Sequence, residues 1–307
     1  MNANQQDLEV TPSVKEALAG GKPVVGFETT ILSHGLPWPD NHATAKACEL
    51  VAEHSGATPA TMALLAGKIR MGLTAEELQH FCMPDTSANA VKVNLQNFEI
   101  VLRSGRAGAL TVAGSLMVSA GAGLKVFCTG GIGGVHRDYA QTHDESSDLV
   151  ALARYPVATV CAGIKSILDV PATLERLETL GVPVLGFRTK SLPCFFSGNS
   201  PYAVTHSTDS MVELAEIAGS VLENGRGVLV VTPVPMECSI DFQVVEMWIA
   251  RALDSAREEG VQGKAVTPFL LQQMAKLSDG QTLKANLALI QNNARVASEL
   301  ACALAKK

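Results

Sequence analysis

Aromatic side chains make up only 5% of the chain, and no apolar run approaches the length of a membrane span. The seven cysteines (48, 82, 128, 161, 194, 238 and 302) are widely spaced, odd in number and contain no Cys-x-x-Cys pair. This argues against a disulfide framework and the common zinc spacings, and it fits small buried thiols in a reducing compartment. Positive charge is in deficit. A formal net charge of −6 gives no general attraction to nucleic acid or to an anionic membrane, so an anionic ligand must be caught locally. The first ten residues have neither the basic start nor the apolar core of a signal peptide, and a cytoplasmic protein with a polar leader over 1–10 is expected. With no repeat, low-complexity tract or linker visible, a single domain over residues 1–307 is the expected organisation.

What is present is apolar and glycine-rich: 47% hydrophobic residues and 26 glycines suit strands covered on both faces by Ala-rich helices. Strand-like runs at Pro23–Phe27, Leu110–Gly114, Lys125–Thr129, Pro156–Cys161, Pro183–Phe187 and Gly227–Val231 alternate with helical patterns. That rhythm predicts an α/β protein of three layers, α/β/α, around a mostly parallel or mixed sheet. Local signals add detail. Thr11 before Pro12 reads as an N-cap, Asp40 or Asn41 as the cap of a helix over His42–Glu53, and Thr74-Ala75-Glu76-Glu77 as a capping box. Thr61–Met71, split at Ala66-Gly67-Lys68, reads as a hairpin.

The most unusual stretch runs Thr129-Gly130-Gly131-Ile132-Gly133-Gly134-Val135-His136-Arg137 and on to Asp144-Glu145-Ser146-Ser147-Asp148. It is not a P-loop, which needs Gly-Lys-Ser/Thr after its last glycine, and a dinucleotide fingerprint starting at Gly131 would need glycine at His136. Glycines after a strand can turn backbone N–H groups toward a phosphate, with His136 and Arg137 as countercharge, or can simply allow close packing. Asp144 and Asp148 are oxygen donors that suit a hard divalent cation.

Three ionisable residues stand at strand ends or in apolar surroundings. Glu28 closes the run Pro23–Phe27, in the position where α/β sheets collect ligands, and serves either as an acid or base or as a turn residue. Lys92 lies within Ala90-Val91-Lys92-Val93, as an anion contact or a snorkelling strand residue. Lys165 follows Cys161-Ala162-Gly163-Ile164. Desolvation there would favour a neutral, nucleophilic amine; the ordinary alternative is a lysine on a helix surface. Asn286, Asn292 and Asn293 are amides able to meet a base or to tie neighbouring segments.

These residues together resemble the pseudouridine-5′-phosphate glycosidase family, also called indigoidine synthase A-like proteins. The most specific pieces are Glu28-Thr29-Thr30-Ile31-Leu32-Ser33-His34-Gly35, the run Thr129–Arg137, Cys161–Asp169, and Gly263-Lys264 with Thr267-Pro268-Phe269-Leu270-Leu271. The resemblance implies a manganese-dependent homotrimer that reversibly splits a C-nucleotide into uracil and ribose 5-phosphate. It further implies Glu28 as proton donor, Lys165 as the amine that forms a Schiff base, and Asp144 as metal ligand. Lys92, Val112 and Ser146-Ser147-Asp148 would contact substrate, with Thr129, His136, Arg137 and Asn286 beside them. Two departures stand out. The family's Arg-Arg-Asp-Leu after Lys92 is replaced here within Val93-Asn94-Leu95-Gln96-Asn97-Phe98, and Glu145 stands where an apolar residue is usual. A related C-nucleoside lyase or synthase, or a silent phosphometabolite binder, are the alternatives.

Overall fold

The computed structural model describes residues 7–261 and 266–306; the Gly263-Lys264 motif lies outside them, as do the side chains of Thr267 and Pro268. Among the described residues, eleven strands join one sheet. In chain order they are β1 (Leu8–Val10), β2 (Val24–Phe27), β3 (Thr58–Leu65), β4 (Lys68–Met71), β5 (Val91–Val93), β6 (Gly108–Leu110), β7 (Val126–Cys128), β8 (Ala158–Cys161), β9 (Val184–Phe187), β10 (His206–Thr208) and β11 (Val228–Val231).

Strands β2, β7, β8, β11, β9 and β10 lie side by side in that order and are parallel throughout. Four of them, β2, β8, β9 and β11, are fully buried four-residue runs of Val, Leu, Phe, Gly, Ala, Thr and Cys, as expected of strands covered on both faces. Helices supply the cover: Gln281–Ala305 packs on Asp40–His54, β7 and β8, while Val112–Gly121 packs against Ser147–Arg154. The expected α/β/α layering with a mixed sheet is therefore the architecture found.

The sheet becomes mixed at β3. Its first half, Thr58–Thr61, pairs in parallel with β2; its second half, Met62–Leu65, pairs antiparallel with β4, and Ala63 and Leu64 also with β6. β1 and β5 complete this flank by pairing in parallel with β4 and β6. The hairpin expected over Thr61–Met71 is the β3–β4 pair, turning through Ala66 and Gly67 at positive φ.

Some local expectations fail for identifiable reasons. The end of the supposed leader, Leu8–Val10, is an edge strand, because its backbone finds β4 to pair with. Thr11 does stand at the N-cap with Pro12 at the first helical position, but its side chain makes no cap bond, and its N–H donates to Met71 O. Neither Asp40 nor Asn41 caps the second helix. Asn41 is buried, its amide donating to Leu32 O at 2.7 Å and Cys82 O at 2.8 Å. The capping box at Thr74 and Glu77 is formed in both directions.

Candidate active site

Glu28 is the residue immediately after β2 and only 6% exposed. Thr129, immediately after the neighbouring β7, donates its hydroxyl to Glu28 Oε1. Parallel strands end on the same edge, so consecutive strands deliver these side chains, and Lys165 after β8, to one rim. Burial raises the Glu28 carboxyl above its ordinary value. The Lys165 ammonium is the strongest opposing influence, followed by the Thr129 bond, and Asp148 and Lys92 act more weakly in opposite directions. Glu28 also lines a small, mostly apolar cavity with Cys48, Cys128 and Ile290.

Lys92 arrives from the mixed flank. The register sets Lys92 beside Ala109 and Val93 beside Leu110. Two threonines stitch that pair of strands to the end of β2. Thr30 Oγ1 donates to Leu110 O at 2.8 Å, and Thr29 Oγ1 accepts from Leu110 N at 3.0 Å while donating to Met62 O at 2.9 Å. Partial desolvation and then the Lys165 ammonium lower the Lys92 pKa, against the pull of Asp148, Glu28 and Asp144. The fold thus gathers Glu28, Lys92, Asp144, Asp148 and Lys165 within electrostatic reach, although the sequence scatters them.

Much of the glycine run is already engaged in the protein's own hydrogen bonds. The N–H groups of Thr129, Ile132, Gly133, Val135 and His136 already donate within the protein. Close packing is what requires the glycines. A Cβ on Gly131 would lie 2.5 Å from Phe195 Cδ2, on Gly133 2.4 Å from Ser146 Oγ, and on Gly134 2.4 Å from Thr173 Oγ1. The apolar loop that supplies Phe195 lies over this run, with Phe195 N donating to Ala162 O at 2.9 Å and Ser166 Oγ to Cys194 O at 2.6 Å.

Arg137 does not face outward as countercharge: it pairs with Glu246 and with the carbonyls of Ser166 and Ile167. Asp148 is buried, and both of its carboxylate oxygens accept backbone N–H bonds. Its Oδ1 accepts from Ala113 N and its Oδ2 from Gly133 N, both at 2.9 Å, which joins the glycine run to the start of helix Val112–Gly121. Val112 is the first residue of that helix and is buried; Ser146 caps helix Ser147–Arg154, and Ser147 opens it. Asn286 carries a buried, unpartnered Oδ1 on helix Gln281–Ala305. Asn293, one helix stretch further, donates to Thr129 O at 2.9 Å and Gly130 O at 3.2 Å, while Asn292 donates to Pro233 O at 3.1 Å. Thr29, Thr30 and Glu246 were not legible as contributors, because each acts through a partner distant in the chain, whereas the apolar character of the Leu192–Pro201 loop already suited a cover over a site or a subunit contact.

For a metal, Asp144 is the accessible donor. Its side chain is 53% exposed, and its Oδ2 lies 3.8 Å from His136 Nε2. Among the described residues no three of His, Cys, Asp and Glu gather as a cage. One open carboxylate with His136 near it is a donor set that fits a hard divalent ion only partly enclosed by protein, rather than a closed structural site.

Over residues 13–303 the chain matches the family model described as indigoidine synthase A like protein. It belongs to that family. The pseudouridine-5′-phosphate glycosidase of Myxococcus xanthus is 45% identical over 302 residues, covering 98% of this chain and 99% of its own, and that of Caldanaerobacter subterraneus subsp. tengcongensis is 44% identical with 97% of each covered. Among solved structures, the prealnumycin C-glycosynthase AlnA in complex with ribulose 5-phosphate superposes with a TM-score of 0.91 at 36% identity, covering 98% of both chains. An indigoidine synthase A-like protein of Thermotoga maritima gives 0.87 at 36% identity, over 97% of this chain and 96% of its own.

Proposed function

We propose that this protein is an enzyme that reversibly cleaves the C–C glycosidic bond of pseudouridine 5′-phosphate, giving uracil and ribose 5-phosphate. The observation that carries the reading is the placement of a buried carboxyl, Glu28, past β2 and of the Lys165 amine past β8, on the same edge of the sheet with only β7 between those strands, and close enough to act on each other electrostatically. A C–C bond offers no leaving heteroatom to protonate, so the two-carboxylate scheme of ordinary glycosidases does not serve. An acid and an amine do. Lys165, as the neutral amine, bonds to C1′ while the C1′–O4′ bond breaks and Glu28 gives its proton to O4′. The secondary ammonium so formed returns a proton to the Glu28 carboxylate, and the freed nitrogen lone pair closes an iminium as the C1′–C5 bond breaks; that bond's electron pair passes to the base, which takes up a proton at C5. Water hydrolyses the imine and frees ribose 5-phosphate and the lysine.

Lys92 serves the phosphate from the flank, and Asp148 holds the glycine run in register with helix Val112–Gly121. Asp144 would hold Mn2+ or a similar ion, which when bound supplies positive charge to the phosphate. The family resemblance also supports a cytoplasmic homotrimer. Likeness to a C-glycosynthase favours, as a second reading, the C–C-forming direction with a different base.

The test is turnover of pseudouridine 5′-phosphate by purified protein, with Mn2+ or with chelator, followed by borohydride during turnover. Uracil release that depends on the ion, and a reduced sugar-phosphate adduct on Lys165, are expected. An adduct on Lys92, or full turnover by Lys165→Ala, refutes the assignment.

A further inference from the structure

The Lys165 turn is held from both sides. On its N-terminal side the bridge between Ile132 and Ile164 and the bond from Lys165 N to Ile132 O, 3.2 Å, join it to the glycine run. On its C-terminal side a single guanidinium takes hold of the next two carbonyls: Arg137 Nη2 donates to Ser166 O at 2.9 Å, and Nε to Ile167 O at 3.3 Å. The same group meets Glu246 of helix Phe242–Glu258 as a fork, Nη1 to Oε2 at 2.9 Å and Nη2 to Oε1 at 2.7 Å. A guanidinium has five N–H donors, and these bonds use four of them. None of its edges is left to grip a phosphate with two bonds.

We propose that Arg137 and Glu246 form a clamp that positions the Lys165 amine, with Arg137 acting on the backbone of the reacting turn and Glu246 fixing the guanidinium plane from the outer helix. Arg137 is then a positioning residue for the reaction, and not an anion contact. The inference rests on Lys165 being the reacting amine. A planar fork is needed because two carbonyls and a carboxylate must be met at once, which a lysine ammonium does not reproduce.

The experiment compares Arg137→Lys, Glu246→Gln and Lys165→Ala with the unaltered protein, after melting curves establish that each is folded. Steady-state kinetics are run on the phosphorylated nucleotide and on the bare nucleoside. The rate of reductive methylation at Lys165 is read by mass spectrometry. The clamp predicts that Arg137→Lys and Glu246→Gln each lower kcat on the order of 10- to 100-fold through misplacement of the amine. KM for the nucleotide should stay within about twofold, and the preference for phosphate should be retained. Methylation at Lys165 should change in both variants. If Arg137→Lys raises KM and erases the phosphate preference while kcat holds, Arg137 is an anion ligand and the clamp is wrong. If Lys165→Ala is inactive while both clamp variants turn over normally, the clamp alone falls. A Lys165→Ala protein that still turns over would overturn the mechanistic reading and the clamp with it. Should Arg137→Lys fail to fold, Glu246→Gln decides by the same readouts.

Discussion

The parallel block and the mixed flank of the sheet bring different kinds of group to one site. In the block, β2, β7, β8 and β11 are buried along their whole length; Glu28 and Thr129 follow β2 and β7 directly, and Lys165 stands in the turn after β8. In the flank, β4 alternates between half-buried and buried residues, β1 has no fully buried residue, and Lys92 in β5 is exposed. A dry, closely packed strand end can shift a carboxyl's pKa and fix an amine; an accessible strand can present a charge to a ligand arriving from water. Under the proposed function, chemistry falls to the block and binding to the flank, the two being joined by the Thr29 and Thr30 bonds.

The largest expected difference between the two regions is in tolerance at left-handed glycines. Gly163, in the block, has φ +84, and an added Cβ would lie 1.8 Å from Pro193 O; Gly105, in the flank, has φ +71 and nothing within 4 Å. Gly163→Ala should cost on the order of 3 kcal/mol or more, from strain and a backbone clash together. Gly105→Ala should cost about 1 kcal/mol, from strain alone. Denaturant midpoints measure both, and equal costs would mean that the block is no more rigid than the flank.

Next in size is the loss of the flank's charge. Lys92→Ala should lower kcat/KM for the phosphorylated nucleotide by about 2 kcal/mol, roughly 30-fold, and leave the bare nucleoside nearly unaffected. An equal loss on both substrates would move Lys92 from binding into chemistry.

A smaller effect should appear in stability against pH. Glu28 binds its proton more tightly folded than unfolded. Its contribution is therefore fully present below the unfolded value and is lost as pH rises through the higher folded value, with a slope of at most about 1.4 kcal/mol per pH unit. Comparing urea midpoints of the unaltered protein and Glu28→Gln across that window isolates the term; identical slopes would show that the carboxyl is not held protonated by burial.

The smallest effect is an expected absence of reaction. Burial pushes Cys48, Cys82 and Cys161 up to about 12, Cys194 up to about 11, and Cys128 well above its ordinary value. A thiol reagent at neutral pH should leave these five unmodified in the native protein, and activity intact, since the thiolate is the reactive form. Rapid labelling of Cys128 or Cys161, both in the block, would mean that its strand ends open to solvent.

Residues whose role depends on near neighbours were legible in advance. The apolar runs of β2, β8, β9 and β11, the hairpin through Ala66-Gly67, and the capping box at Thr74 and Glu77 each follow from a few consecutive side chains. Glu28 and Lys165 could be picked out because each stands just past an apolar strand. Arg137, Asp148 and Asn41 could not be read correctly. A guanidinium, a carboxylate and an amide are offered equally to ligand, ion or backbone, and their partners here are Glu246 with two carbonyls, two N–H groups of separate segments, and two carbonyls.

The sequence by itself determined the alternation of strands and helices and a mostly parallel or mixed sheet covered by helices, because burial of apolar side chains is decided by local pattern. It also placed the acid and the amine at strand ends, since parallel strands finish on a common edge. Only the tertiary structure decided that Lys92 crosses from the flank to meet them, that the glycines serve close packing, and that Arg137 is spent on the Lys165 turn. The physical reason is that a buried polar group must be satisfied by whichever partner the packing brings to it, and that choice is made between segments far apart in the chain.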